Sequence, residues 1–78
     1  MREIILISVT GRDKPGVTNT ITGILAHYGV NVLDIGQAVI HDSLSLGLLV
    51  EVPQERDSGP VLRDILFRMH DQHLAVHF

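Results

Sequence analysis

The sequence predicts an α+β fold with the element order βαββαβ, and three observations carry that expectation. The run Glu3-Ile4-Ile5-Leu6-Ile7-Ser8-Val9 is too continuously apolar for a surface strand and reads as a central, buried one. Two stretches repeat apolar residues at helical spacing: Val17, Ile21, Ile24, Leu25 and Tyr28, then Val61, Leu62, Ile65, Leu66 and Met69. Between them lie two strand-forming stretches separated by His41-Asp42-Ser43, a gap short enough to imply a hairpin.

Taken in order, the first strand passes into a polar turn, Thr10-Gly11-Arg12-Asp13-Lys14-Pro15-Gly16. The first helix is expected over residues 15–28. Asp13 is placed to accept hydrogen bonds from its first free N–H groups, and Pro15 sits in the first turn, where it has no N–H to leave unpaired. Gly16 lets the backbone approach a neighbouring strand or a ligand. Gly29 supplies a left-handed helix stop, with Val30 as the apolar residue after it. The second strand, residues 31–40, is rich in β-branched residues, and Gly36 suggests a bulge or bend within it. The third, residues 44–52, alternates strictly enough to put Leu44, Leu46, Leu48, Val50 and Val52 on one face. Residues 53–60 form a polar loop with a proline at each end, and Asp57 or Ser58 can cap the second helix. Arg63, Asp64 and Arg68 belong to that helix's wet side. A final strand over residues 73–78 places Leu74, Val76 and Phe78 together.

Two βαβ-type units sharing a hairpin give the ferredoxin-like arrangement, a four-stranded antiparallel sheet with both helices on one face. The expected core holds Ile5, Ile7, Val9, Ile21, Ile24, Leu25, Ile65, Leu66 and Val76. Strand one is apolar on both faces, since Ile4 and Leu6 oppose Ile5, Ile7 and Val9, and the helices can cover only one. Apolar surface left over in this way marks association, and a homodimer is expected; cover by another domain of a longer chain is the alternative.

Composition narrows the function. The chain has 78 residues, enough for one small domain over 1–78, and a formal net charge of −3. Its six Lys and Arg form no cluster, which argues against nucleic acid and anionic membrane. Cysteine is absent, so a disulfide framework, a thiolate nucleophile and a Cys-based zinc site are all excluded. No signal-peptide cleavage region or apolar run of about 20 residues is present, and a cytoplasmic location is expected. Catalytic signatures are missing: there is no Asp-x-Asp, no Gly-x-Ser-x-Gly elbow, and no Gly-Lys-Ser/Thr ending to the glycine turn. His70, His73 and His77 crowd the C-terminal stretch, with His73 and His77 on one strand face, but they straddle a helix end and a strand; no metal site and no cofactor are expected.

What remains is the turn after strand one. It is either a tight capped connection or a small-ligand site. Arg12, Asp13 and Lys14 set both signs of charge beside a helix N-terminus, which suits a zwitterion, and Asn31 offers a donor and an acceptor at the start of the next strand. The candidate ligand-binding residues are Gly11, Arg12, Asp13, Gly16, Val17 and Asn31.

The run Ile7-Ser8-Val9-Thr10-Gly11-Arg12-Asp13-Lys14-Pro15-Gly16-Val17, followed by Gly29-Val30-Asn31-Val32-Leu33-Asp34, resembles ACT domains, the amino-acid-sensing modules of metabolic enzymes. The stretch from Leu33 to His41 and Leu44-Ser45-Leu46-Gly47 is similar, more narrowly, to the N-terminal ACT domains of bacterial phosphoserine phosphatases. The resemblance implies a regulatory, dimerising domain that binds a small amino acid, L-serine first among candidates. In serine-binding ACT domains the ligand sits between two subunits, held by the turn after strand one and by an Asn opening strand two of the other subunit. Asn31 matches that Asn, Asp13 stands where the turn's ligand-binding Asn would be, and Gly11 stands where that group has a His. The resemblance further implies a longer parent chain with a haloacid-dehalogenase-type catalytic domain, where Mg²⁺ would bind; this chain alone would then be non-catalytic. Stand-alone ACT proteins of the glycine-cleavage repressor type share the Asp-x-Pro-Gly turn and form an alternative, as does a purely structural dimerisation module.

Overall fold

The computed structural model describes residues 3–78. Its elements are β1 (Glu3–Arg12), α1 (Val17–His27), β2 (Asn31–Ile40), β3 (Ser43–Val52), α2 (Gly59–Asp71) and β4 (Ala75–His77), the expected βαββαβ order. The sheet runs β2-β3-β1-β4 with every neighbouring pair antiparallel.

β3 is the reason the layers form. Leu44, Leu46, Leu48, Val50 and Val52 are each at most 2% exposed, while the residues between them face away. In register with this set on β1 stand Val9, Ile7 and Ile5, so the odd positions of β1 share the covered face. Val17, Ile21, Ile24 and Leu25 of α1 close over it, together with Val61, Ile65 and Met69 of α2. Among the described residues no polar or charged side chain is buried. The other face carries Ile4 and Leu6, both more than half exposed, beside a smooth band in which Ser8, Gly47 and Gly36 stand in one row and Thr10, Ser45 and Ala38 in the next.

Both helices end in the same way, although only one ending is legible. After α1, Gly29 is left-handed (φ 70°), its N–H meets the carbonyl of Ala26, and Val30 N–H reaches back to Leu25. After α2, His73 takes the left-handed place (φ 60°), its N–H meets the carbonyl of His70, and Leu74 N–H reaches back to Met69. Each is a Schellman closure whose following apolar residue is buried, as Val30 and Leu74 are.

The structure corrects several expectations. α1 starts at Val17, two residues later than expected, because left-handed Gly16 (φ 85°) is its N-cap; no side chain caps it, Asp13 included. At α2, of the two residues expected to cap, Asp57 accepts the N–H of Gly59, the first helical residue, on its Oδ1 at 3.0 Å, while Ser58, directly before the helix, makes no side-chain cap bond. The bulge in β2 falls between Val32 and Asp34, not at Gly36, which pairs with Gly47 in regular register. β3 begins one residue earlier than expected, at Ser43. β4 is shorter than expected because the Schellman turn uses His73 and Leu74, so His73 and His77 do not share a strand face. Phe78 and Leu66 are exposed, and Ile5 and Val76 are only half-buried. The buried stripe of α2 is Val61, Ile65 and Met69; Leu66 lies about 100° round the helix from Ile65, over a sheet edge where β4 pairs with only Ser8–Thr10 of β1.

Replacing left-handed His73 with glycine relieves a conformation that costs an L-residue about 1–2 kcal/mol, part of which the looser unfolded chain takes back. His73→Gly is therefore expected to raise unfolding stability by about 0.5–1 kcal/mol in urea titrations. Ile65→Ala, by contrast, is expected to lower it by about 2–5 kcal/mol.

Candidate functional site

The end of β1 and the chain between it and α1 are held at three points. Asp13 N–H donates to the carbonyl of Asp42 at 2.7 Å, which fixes the turn to the β2–β3 hairpin. The Lys14 ammonium donates to the carbonyl of Gln72, the C-cap residue of α2. Gly11 (φ 152°) lies so close to the α2–β4 turn that a Cβ there would stand 2.7 Å from Leu74 Cδ2.

Gly16 then turns the backbone into α1. Its carbonyl accepts both the N–H and the hydroxyl of Thr20, each at 2.9 Å, and this is the first intrahelical bond. The N–H groups of Val17, Thr18 and Asn19 therefore precede the ladder and have no helical acceptor. They stand at the positive end of the helix, whose first turn contains no acidic residue to offset it. Nothing lies within 4 Å of where a Gly16 side chain would project, so the backbone there borders open space.

That space is a cleft of about 390 Å³. The first turn of α1 forms one wall, Asp13 contributes a carboxylate, and Leu44 of β3 provides an apolar floor. The far wall is Gln37 of β2, tied to α1 by a hydrogen bond from Thr18 Oγ1 to Gln37 Oε1 at 2.7 Å. With its oxygen engaged, the Gln37 amide keeps its N–H₂ donors. A cleft with backbone donors, one carboxylate and an amide can hold a small molecule carrying both a carboxylate and an amine.

Of the residues expected at a site, Asp13, Gly16 and Val17 are brought together here. Gly11 and Arg12 line a shallower depression at the hairpin tip with Ile40 and His41. Asn31 opens β2 opposite Glu51, toward the other end of the strand from Gln37, and does not reach the cleft of its own chain. Lys14 and Thr18, from the expected ligand turn and the helix start after it, also line the cleft, and Asn19 and Gln37 line it without having been anticipated. A signal existed for Gln37: the register puts it with Val32, Ile35 and Val39 on the helix-facing side of β2, where it is the lone polar residue. Elsewhere among the described residues, no cluster of three or more His, Asp or Glu side chains is placed to hold a metal ion, and no helix is long and apolar enough to cross a membrane.

The family model described as "ACT domain" matches residues 3–78. The chain belongs to the ACT domain family. This ACT domain is 47% identical over 60 residues to phosphoserine phosphatase SerB2 of Mycobacterium tuberculosis, a match covering 77% of this chain and 15% of that protein. It is 36% identical over 50 residues to a UPF0237 protein of Methanosarcina mazei, covering 64% of this chain and 54% of the relative. The chain thus spans a small part of the first relative and about half of the second. Among solved structures, an ACT domain protein from Streptococcus pneumoniae superposes with a TM-score of 0.79 at 22% identity, over 95% of this chain and 84% of that one. A candidate glycine cleavage system transcriptional repressor superposes with a TM-score of 0.88 at 18% identity, over 99% of this chain and 44% of the other. At such identities these two structures speak for the fold.

Gly16→Ala puts a Cβ into open space but onto left-handed backbone. It is expected to cost about 1 kcal/mol, the strain of about 1–2 kcal/mol less the stiffening of the unfolded chain, read as a lowered melting temperature with no change in fold by circular dichroism.

Proposed function

We propose that this ACT domain is the regulatory, amino-acid-binding part of a phosphoserine phosphatase, and that its ligand is a small zwitterionic amino acid of the L-serine kind. The observation that carries the reading is the cleft at the start of α1, where free backbone N–H groups and one carboxylate border the same open volume. The ligand carboxylate is received by N–H groups at the helix N-terminus, Val17 among them, and its ammonium by Asp13. The 47% identity to a phosphoserine phosphatase supports the parent enzyme and the choice of serine.

A second copy of the chain completes the site. All ten residues of β2 are exposed, including Val32, Leu33, Ile35, Val39 and Ile40, and the strand is a sheet edge. A long apolar edge of this kind pairs readily with another strand. Antiparallel pairing of two β2 edges carries Asn31 of the second copy from its own strand start toward the end of β2 that holds Gln37. The resemblance to serine-binding ACT domains gives an Asn of the second copy a place at the ligand, and Asn31, which starts β2 opposite Glu51, is proposed for that role.

A second reading, a stand-alone ACT protein acting through a partner, draws on the UPF0237 relative, of which this chain spans 54%. The two readings part on whether the full-length gene product releases phosphate from phosphoserine.

Calorimetric titration of L-serine tests the site. Losing a charge-assisted hydrogen bond costs about 1.5–3 kcal/mol, so Asp13→Ala is expected to weaken binding about tenfold or more. Asn31→Ala loses a neutral bond of about 0.5–1.5 kcal/mol and is expected to weaken it several-fold. An Asp13→Ala protein that melts normally and binds serine as tightly as the parent would show the assignment to be wrong. Sedimentation tests the assembly: the parent is expected to be a dimer at micromolar concentration and Ile35→Lys a folded monomer, whereas a monomeric parent would rule the pairing out.

A further inference from the structure

We infer that Lys14 is a ligand-controlled fastener: its ammonium holds the start of β4 while the cleft is empty and leaves it for the carboxylate of a bound amino acid. The inference rests on the amino-acid reading of the cleft and adds what binding would do to the rest of the domain.

Lys14 belongs to two places at once. This half-buried residue lines the cleft two residues before Gly16, yet its ammonium bonds the carbonyl of Gln72, the C-cap residue of α2. That carbonyl is one of those at the C-terminus of α2 that the helix cannot satisfy, and a cation there also faces the negative end of the helix. Among the described residues the ammonium meets no carboxylate, although Asp13 is its neighbour in the chain. It is therefore a full charge held by a neutral acceptor at the rim of a cleft suited to an anion.

The acceptor sits in a part of the fold that depends on support. Immediately after Gln72 comes left-handed His73, a conformation an L-residue adopts only when its surroundings hold it there. Leu74 follows, packed against Gly11 at the base of the same ligand turn, and the next residue opens β4. β4 itself is held to the sheet over only Ser8, Val9 and Thr10. The Lys14 contact and the Gly11–Leu74 contact are thus two ties between the ligand turn and the strand that ends the domain.

A ligand carboxylate changes the competition. The ammonium–carbonyl bond is charged on its donor side only, whereas a ligand carboxylate charges the acceptor as well and adds Coulombic attraction, and the carboxylate would lie among the N–H groups beside Lys14. The ammonium moves to it, the Gln72 carbonyl loses its cation, and the His73–Leu74 turn opens more often. By linkage, whatever holds that turn closed weakens ligand binding to the same degree. Amino-acid occupancy is in this way reported at the C-terminal edge of the sheet, away from the cleft.

The test combines amide hydrogen exchange at His73 and Leu74, whose N–H groups bond His70 and Met69, with calorimetry on the parent and on Lys14→Met, which keeps the aliphatic stem. Saturating L-serine is expected to speed exchange at these two amides in the parent by about threefold or more. Lys14→Met is expected to exchange fast without ligand, to show no further change with it, and to bind serine about fivefold more weakly. A parent that binds serine with unchanged exchange at both amides overturns the fastener and leaves the amino-acid reading standing. So does a Lys14→Met protein that exchanges like the unliganded parent. A parent that binds no amino acid at millimolar concentration overturns both.

Discussion

Everything in this domain is referred to the alternation of β3. Five apolar side chains on one side of a strand paired on both edges, over its whole length with β1 and from Ser43 to Glu51 with β2, decide which way the helices must lie. Fully burying a Leu or Val contributes about 1.5–3 kcal/mol, so a one-residue slip of this strand would forfeit an amount comparable to the whole net stability of a small domain. The site inherits this rigidity. Its floor is Leu44, the first of the five, and the turn beside it is fixed to the hairpin through Asp42.

On that frame the cleft owes its character to where charges are placed. Asp13 is the carboxylate lining it, while Lys14, its chain neighbour, is drawn off to the end of the other helix. The helix contributes positive character through its first N–H groups, with no acidic side chain in its first turn. Under the proposed reading a ligand is selected by the spacing of its charges, since the cleft has backbone donors at one side and a single anion at the other.

Most of the fold could be read from residue periodicity because the sheet is amphipathic in the plain sense: odd positions of β1 and even positions of β3 are covered. The endings were less legible where an unusual residue does a familiar job. Gly29 announced the close of α1, whereas His73 performs the same turn after α2 with no glycine to mark it. The bulge at Leu33 was hidden because β-branched and aliphatic residues continue through it, while Gly36, which looked like an irregularity, pairs regularly. At the cleft, local order in the chain is enough to bring Asp13, Gly16 and Val17 together. It could not reveal that Gln37 joins them across the sheet, or that Lys14 is turned toward Gln72, because both depend on contacts between distant parts of the chain.

The strand order β2-β3-β1-β4 also fixes when different parts of the molecule can become structured. The β2–β3 hairpin closes locally, through a turn at His41 and Asp42, and hairpins form in about 1–10 μs. β1 reaches β3 only by spanning the first helix and the hairpin, and β4 must return from beyond α2 to lie against Ser8–Thr10. Such long-range pairings are slow because the intervening chain loses entropy before any contact compensates. In the interval the hairpin shows the apolar face of β3 and both its free edges to the surrounding solution. Nascent copies of this domain are most open to misassembly then, before β1 inserts, and the speed of that insertion governs how much of the chain reaches its native form.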